Sequence, residues 1–450
     1  MLRRILVANR GEIAARIVAA CQRLGIETVL AASEADLDSR PARLADRTIC
    51  LGPPPPAASY LNVAAVIAAA AATGCQAIHP GYGFLAENPA LARACAAAGL
   101  VFIGPAAATL ELAGDKLAAR EQAAAAGLPV LPGGEAITAA QAQSLAADIG
   151  WPVLIKAAGG GGGRGLRVVH SPAGLAAAAG QAAAEARAAF GDPRIYIERF
   201  LPAARHVEVQ LIGDGERVVQ LSDRDCSIQR RYQKVVEEAP APLLADGLRA
   251  AIHAAAVAFG SRLGYRGLGT VEFLVAAGSG AFYFLEMNAR IQVEHPVTEQ
   301  VCRLDLVAEQ IAVAEGRPLS LNQQDVTTGG HAIECRICAE DPQGRPSPGA
   351  VTRAVFPAGP GIRVDTWIQA GSVVSPFYDS LLAKLIVTGA DRADAVGRLR
   401  RALAGCEIGG VTTNLPLLTV VASDPGFAAG GVDTGFLAGL AERTPAVARG

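Results

Sequence analysis

Between Phe282 and Glu294, side chains able to hold ions or move protons recur at every second position: Glu286, Asn288, Arg290, Gln292 and Glu294. A period of two places them on one side of an extended segment, with Tyr283, Leu285, Met287, Ala289, Ile291 and Val293 on the other. Just upstream, Val271 to Val275 has strand character, and the glycine-bearing run Ala276 to Ala281 suits a tight hairpin. A turn centred on Ser279 sets Glu272 opposite Glu286; a slip of one would face Glu272 against Leu285 and put a charge on the apolar side. Facing carboxylates repel each other, so the pattern asks for a cation between them. A hard divalent ion such as magnesium takes carboxylate and amide oxygens, which Glu272, Glu286 and Asn288 can supply. The alternative is a hairpin face whose charges are left in water. Fully extended, Glu286 to Glu294 would span roughly 26 Å, too far for one small site. The strand is therefore expected to end near Asn288 and the chain to curl, returning Arg290, Gln292 and Glu294 toward the metal.

A second stretch runs from Trp151 through Lys156 into Gly159 to Gly163, Arg164 and Gly165, with Leu166 to Val169 beyond. A P-loop places its lysine after the glycines, at a helix start. Here Lys156 precedes them and β-branched residues follow, so the unit reads strand, glycine loop, strand. Consecutive N–H groups in such a loop can cradle phosphate oxygens, and its freedom suits a lid closing on a nucleotide; a surface linker is the plainer alternative. In Arg205 to Leu211 the polar residues His206, Glu208 and Gln210 share one face. Asp223 to Lys234 reads as a densely charged loop, able to hold anions but more often merely solvated. His331 to Ile337 is another alternating strand, with Glu334 and Arg336 on one face.

These residues need a scaffold of two to four domains, because 450 residues exceed one core. Up to about Gly104 strand and helix alternate: strands at Ile5–Ala8, Glu27–Ala32, Gln76–His79 and Leu100–Ile103, helices at Glu12–Leu24, Val63–Ala72 and Pro89–Ala98. Such alternation predicts a doubly wound parallel sheet with its ligand crevice at the strand carboxyl ends, where Asn9–Glu12 and His79–Asn88 lie, as site or as simple turns. Neither matches a dinucleotide fingerprint. Pro53 to Pro56 is a stiff local linker. Lys116 opens a helical connector ending at Gly127. Helices are expected at Leu248–Leu263, Asp305–Glu315 and Ala393–Ala404, and strands near Ile362 and Leu385. A net charge of −2 argues against binding nucleic acid by overall charge. No apolar run suits a signal peptide or membrane span, and nine scattered cysteines suggest reduced thiols, so a cytoplasmic protein is expected. Cys335 and Cys338, three apart on one strand, point to opposite faces, which disfavours a metal or redox role.

Glycines after Lys156, a carboxylate hairpin, and the cations Lys234 and Arg290 describe an ATP-dependent ligase site. At Ile5 to Glu12, His79 to Asn88, Lys156 to Gly165, Arg224 to Glu238, Glu286 to Thr298 and Glu334 to Pro342 the chain resembles the biotin carboxylase family of the ATP-grasp superfamily. The resemblance implies an α/β and α+β multidomain fold: a Rossmann-like domain at 1–111, a helical linker at 112–130, a mobile glycine-rich lid at 131–200, and an ATP-grasp catalytic domain at 201–450 with a mainly antiparallel sheet. It implies that ATP and bicarbonate form carboxyphosphate, whose carbon dioxide passes to N1 of biotin. It further implies nucleotide contacts from Lys116, Lys156, Gly161, Gly162, Gly163, His206 and Gln229, with Glu198 and Leu201 beside the adenine. Glu272, Glu286 and Asn288 resemble ligands of two magnesium or manganese ions. Lys234, Arg290, Gln292 and Val293 resemble the bicarbonate site, Glu294 the general base, Arg336 the group facing the biotin enolate, and Tyr82 a neighbour of biotin.

Tyr232, Arg199 and Cys302-Arg303 depart from the family's usual histidine, lysine and Thr-Gly. The only methionines, Met1 and Met287, leave no lysine flanked by methionines to accept biotin. A separate biotin carboxyl carrier protein and carboxyltransferase subunits are therefore implied as partners, in acetyl-CoA carboxylase for fatty acid synthesis or in another carboxylase, with a homodimer expected. Another ATP-grasp ligase would not need Tyr82, Arg290 to Glu294 and Arg336 together. An inactive nucleotide-binding scaffold would be free to lose Glu294 or Lys234.

Overall fold

Ile5, Leu6 and Val7 are fully buried, as the central strand of a sheet covered on both faces requires. The computed structural model describes residues 1–136, 139–157 and 166–443. In it β1 (Arg4–Val7) pairs in parallel with β2 (Glu27–Ser33) and β4 (Ala77–His79), β2 with β3 (Arg47–Gly52), and β4 with β5 (Val101–Phe102). The order β3-β2-β1-β4-β5 reverses direction of growth between β1 and β4, and the crevice opens there. Both loops flagged in the sequence meet at that point: the Asn9 amide donates to the carbonyls of Pro80 and Tyr82, each at 2.7 Å. Strand β3 escaped sequence reading because none of its residues is fully buried and its apolar run, Ile49 to Leu51, is short.

Helix Lys116–Ala125, N-capped by Asp115, leads to a small antiparallel sheet of β6 (Gly133–Ala136), β7 (Val153–Ala157), β8 (Arg167–Val169) and β9 (Ile195–Arg199), ordered β6-β9-β7-β8 and packed on helices Ala139–Ile149 and Pro172–Phe190. The glycine loop between β7 and β8, with Gly161, Gly162 and Gly163, lies outside the described residues.

From residue 204 onward one antiparallel sheet dominates. It contains β10 (Ala204–Asp214), β11 (Val218–Arg230), β12 (Gln233–Ala239), β13 (Arg266–Ala276), β14 (Phe282–Asn288) and β15 (His331–Cys338). After β15 come two short ribbons, β16 (Gly349–Ala350) with β19 (Val373–Val374) and β17 (Arg353–Val355) with β21 (Glu407–Gly409), while β18 (Ile362–Thr366) and β20 (Leu381–Gly389) rejoin the large sheet. Its eight strands run β14-β13-β10-β11-β12-β15-β20-β18.

Two sequence readings are corrected here. Asp223 to Lys234 is not a solvated loop: β11 and β12 carry it, turning at Arg231 and Tyr232, both with positive φ, and Arg224 and Asp223 are fully enclosed. The strict alternation of Phe282 to Glu294 also fails, because Glu272 pairs with Glu286 while Phe273 pairs with Phe284. Leu285 is the extra residue of a β-bulge. Phe284 therefore joins Met287 in the core, although positions three apart face opposite ways in a regular strand.

The parallel sheet is pinned to the later part of the chain at Arg10. Its guanidinium bonds Asp36 at 2.8 and 3.1 Å and lies between the rings of Trp367 (5.1 Å) and Tyr378 (4.4 Å), a cation–π arrangement.

Candidate active site

The β13–β14 register sets Glu272 across from Glu286 and Thr270 across from Asn288. The strand ends at Asn288 and the chain folds back. Arg290 donates to Asn288 Oδ1 (2.8 Å), Gln292 Oε1 (3.0 Å) and Glu87 Oε2 (2.8 Å), and Gln292 Nε2 returns to Glu272 Oε1 at 3.2 Å. Glu294 then sits immediately before helix His295–Cys302, fully buried.

Lys234, near the start of β12, gathers carboxylates from three separate segments. Its ammonium lies 2.5 Å from Glu208, 2.8 Å from Glu272 and 2.7 Å from Glu294. Burial opposes the charge of Glu294, but Lys234, Arg336 and Arg224 outweigh it and hold the carboxyl well below its usual range. Burial likewise opposes ionisation of Glu272, which Lys234 and His206 nevertheless keep depressed. Glu208 goes the other way: burial lifts it despite Lys234 and Arg224. His206 Nε2 stands 2.9 Å from Glu272, its Nδ1 is 2.8 Å from the Gln229 amide, and Glu272 sustains its protonation against burial.

Arg336, on β15, bonds Glu237 (2.6 Å) and the second oxygen of Glu294 (3.0 Å). Burial pushes Glu237 up to about 7. Beside it Glu334 is fully buried with both carboxyl oxygens unpartnered, and burial lifts its titration far above the ordinary range. Tyr82 donates its hydroxyl to Glu12, and Val293 offers its carbonyl to Lys384.

The remaining sequence candidates form smaller groups. Lys156 pairs with Glu198 at 2.5 Å, both buried; Leu201 follows β9, half-buried; Lys116 lies 3.4 Å from Glu286. Thus Glu272, Asn288, Arg290, Gln292, Glu294, Lys234, His206, Gln229 and Arg336 form one connected network, Lys116 with Glu286 forms an ion pair on the β14 side of it, and Lys156 with Glu198 forms a separate pair within the small sheet.

The donor chemistry fits a divalent ion. Glu272, Glu286 and Asn288 present hard oxygens from facing strands, which magnesium prefers. His206, Glu208 and Glu272 also bring donor atoms within 4.8 Å of one another, as do Glu208, Cys226 and Glu294, but nitrogen and sulfur donors suit softer metals.

Glu208, Arg224, Glu237, Glu12, Lys384 and Glu87 were absent from the sequence-derived site. Glu208 shared the polar face of His206 and Gln210, and that face was the available signal. Glu12 and Glu87 lay in the two loops expected at the crevice, and for Arg224, Glu237 and Lys384 the sequence offered charge without neighbours.

Family models match the chain almost from end to end: the biotin carboxylase N-terminal domain over residues 1–110, the carbamoyl-phosphate synthase L chain ATP-binding domain over 115–322, and the biotin carboxylase C-terminal domain over 334–439. A biotin carboxylase from Pseudomonas aeruginosa is 48% identical over 97% of this chain and 98% of its own. A pyruvate carboxylase component from Methanothermobacter thermautotrophicus is 46% identical over 97% of this chain and 90% of its own. The biotin carboxylase domain dimer of Hydrogenobacter thermophilus 2-oxoglutarate carboxylase, solved with MgADP, ADP and bicarbonate, superposes with a TM-score of 0.95 at 42% identity, covering 99% of this chain and 98% of that one. A fold shared along its whole length, and nearly half its residues shared with such a relative, mean that the chain belongs to the biotin carboxylase family.

Proposed function

We propose that this chain is an ATP-dependent ligase that carboxylates N1 of biotin, using ATP and bicarbonate through carboxyphosphate. One observation carries the reading: the buried, ionised carboxylate of Glu294 lies between Lys234 and Arg336. Bicarbonate is a poor nucleophile, and a carboxylate placed to take its proton makes its attack feasible. Glu294 is that base, and Lys234, Arg290, Gln292 and Val293 hold the anion. While three cations surround it Glu294 is a weak base; an arriving anion that draws Lys234 away strengthens it. Biotin's ureido nitrogen gives up its proton only where a fixed cation meets the enolate-like product. Arg336, braced by Glu237, is that cation, with Tyr82 beside the ring.

Phosphoryl transfer rests on positioning and charge neutralisation. Lys116, Lys156, His206, Gln229 and Gly161 to Gly163 are the residues for the nucleotide, with Glu198 and Leu201 toward adenine. Two ions, magnesium or manganese, held by Glu272, Glu286 and Asn288, would neutralise phosphate charge when bound.

The wider setting belongs to the same proposal: biotin on a separate carrier protein, carboxyltransferase subunits as partners, a homodimer in the cytoplasm, and the first half-reaction of acetyl-CoA carboxylase in fatty acid synthesis. The free cysteines support a reducing compartment. We also divide the chain into 1–111, 112–130, 131–200 and 201–450, the last supported by the unbroken sheet from β10 to β20.

Bicarbonate-dependent ATP hydrolysis with and without free biotin tests the activity. Biotin should stimulate it, and a folded protein showing no stimulation would count decisively against the reading. Label transfer from bicarbonate, through carrier, to acetyl-CoA or to pyruvate then decides the complex.

A further inference from the structure

Lys384 lies midway along β20 with its side chain fully enclosed. Its strand neighbours are Arg336 on one side and Asp365 on the other. Its ammonium donates to the Val293 carbonyl at 2.9 Å and stands 3.0 Å from Glu12 Oε2, while the other Glu12 oxygen accepts the Tyr82 hydroxyl. One cation therefore touches the segment that carries Gln292 to Glu294 and the first turn of helix Gly11–Arg23. Through Glu12 it also reaches the loop after β4.

Enclosing an ammonium is costly, and an apolar side chain of similar volume would fill the space more cheaply. It would also remove a second cation from beside Arg336. Packing alone thus gives no reason for a charge at this position: Ile13, Tyr82 and Ile291 already share one core and Arg290 already bonds Glu87, and to these Lys384 adds an enclosed polar tie that fixes the Val293 carbonyl itself. Burial opposes the charge, and Glu12, Glu334 and Asp365 sustain it.

We propose that Lys384 is a positioning residue for carboxylation, locking the Val293 peptide against the Glu12–Tyr82 pair so that the bicarbonate and biotin ends of the site keep one relative placement. Its kinetic consequence rests on the proposed function; its structural consequence does not.

The test compares the native chain with Lys384→Met and with Lys384→Met combined with Glu12→Gln. The double variant removes the Glu12 carboxylate together with the ammonium it pairs with and guards against simple misfolding. Hydrogen exchange is followed in residues 289–294 and 79–88, together with KM for ATP, bicarbonate and biotin and kcat. Expected are faster exchange in both segments, unchanged protection in β10 and β13, a raised KM for bicarbonate and an unaltered KM for ATP. Biotin-dependent turnover should fall ~100-fold, the scale on which misplacement by about 1 Å acts. Native exchange rates in both segments of the double variant would overturn the proposal, and so would a KM for ATP rising in parallel with the others. If the native chain itself shows no biotin-stimulated hydrolysis, the functional reading fails while the exchange rates still decide the positioning role.

Discussion

Glu294 shares its two oxygens between Lys234 and Arg336, and each of those cations keeps a further carboxylate, Glu208 and Glu272 for one and Glu237 for the other. Removing Glu294 therefore leaves no cation stranded. Glu294→Ala should lower bicarbonate-dependent ATP turnover by about 100-fold or more while ATP affinity stays within about threefold, as loss of a general base does. Loss of ATP binding instead would show that the residue acts on the nucleotide. At this scale the sequence was legible where reactive types recur at a period of two, which exposed Glu286, Arg290 and Glu294, and where the turn at Ser279 set Glu272 opposite Glu286. It was blind to Lys384, whose partner Val293 is 91 residues away, because the meaning of such a side chain depends on which strands become neighbours.

The hairpin of β13 and β14 illustrates what periodicity reads and what it misses. Facing of Glu272 and Glu286 follows from the turn, but the bulge at Leu285 shows only in the pairing. Its energetic signature is Phe284, buried and 5.1 Å edge-on from Phe259. Phe284→Ala should cost about 3–5 kcal/mol in denaturant unfolding, the usual range for an emptied aromatic core site; a change near zero would restore the unbulged register. The charged run Asp223 to Lys234 was misjudged for a related reason: composition marks a segment as polar without showing that Glu208, Gln210, Thr270 and Thr298 will enclose Arg224. Helix Leu306–Ala314 gives an element whose stability depends on pH. Asp305 caps it at Ala308 N (3.0 Å) and pairs with Arg16 and Arg23. Burial opposes its charge, yet Arg16, the hydrogen bonds and Arg23 hold its carboxyl down to about 2. Since an unfolded aspartate titrates near ~3.9, the stabilisation is complete above that pH and drains as pH falls through 2. Asp305→Asn should cost about 1–2 kcal/mol at neutral pH, and the gap between variant and native chain should close in acid; a gap independent of pH would assign the loss to the cap geometry alone.

Across the whole molecule the large sheet does not respect the boundaries suggested by the separate family models. Strand β12 pairs with β15 from Val236 opposite Cys335 to Ala239 opposite Ala332, so residues beyond 330 complete a sheet begun at 204. A chain ending at residue 330 would bare the β12 edge and strip Glu237 of Arg336. It should aggregate or melt without a sharp transition, and a soluble fragment with cooperative unfolding would refute this. The alternating strands and helices of the first hundred residues announce a parallel sheet by themselves, since each helix must cross over it; the eight-stranded order was beyond reach, because antiparallel partners such as β10 and β13 or β15 and β20 are joined by long intervening chain. The two tryptophans belong to different cores. Trp367 is sealed beneath Arg10, its indole N–H bonded to the Leu381 carbonyl, whereas Trp151 is half-buried at the entrance to β7, in the body that carries the glycine loop. The chain thereby contains its own pair of fluorophores: iodide can reach one and not the other, and with Trp367 changed to phenylalanine the remaining emission reports on the glycine-loop body alone.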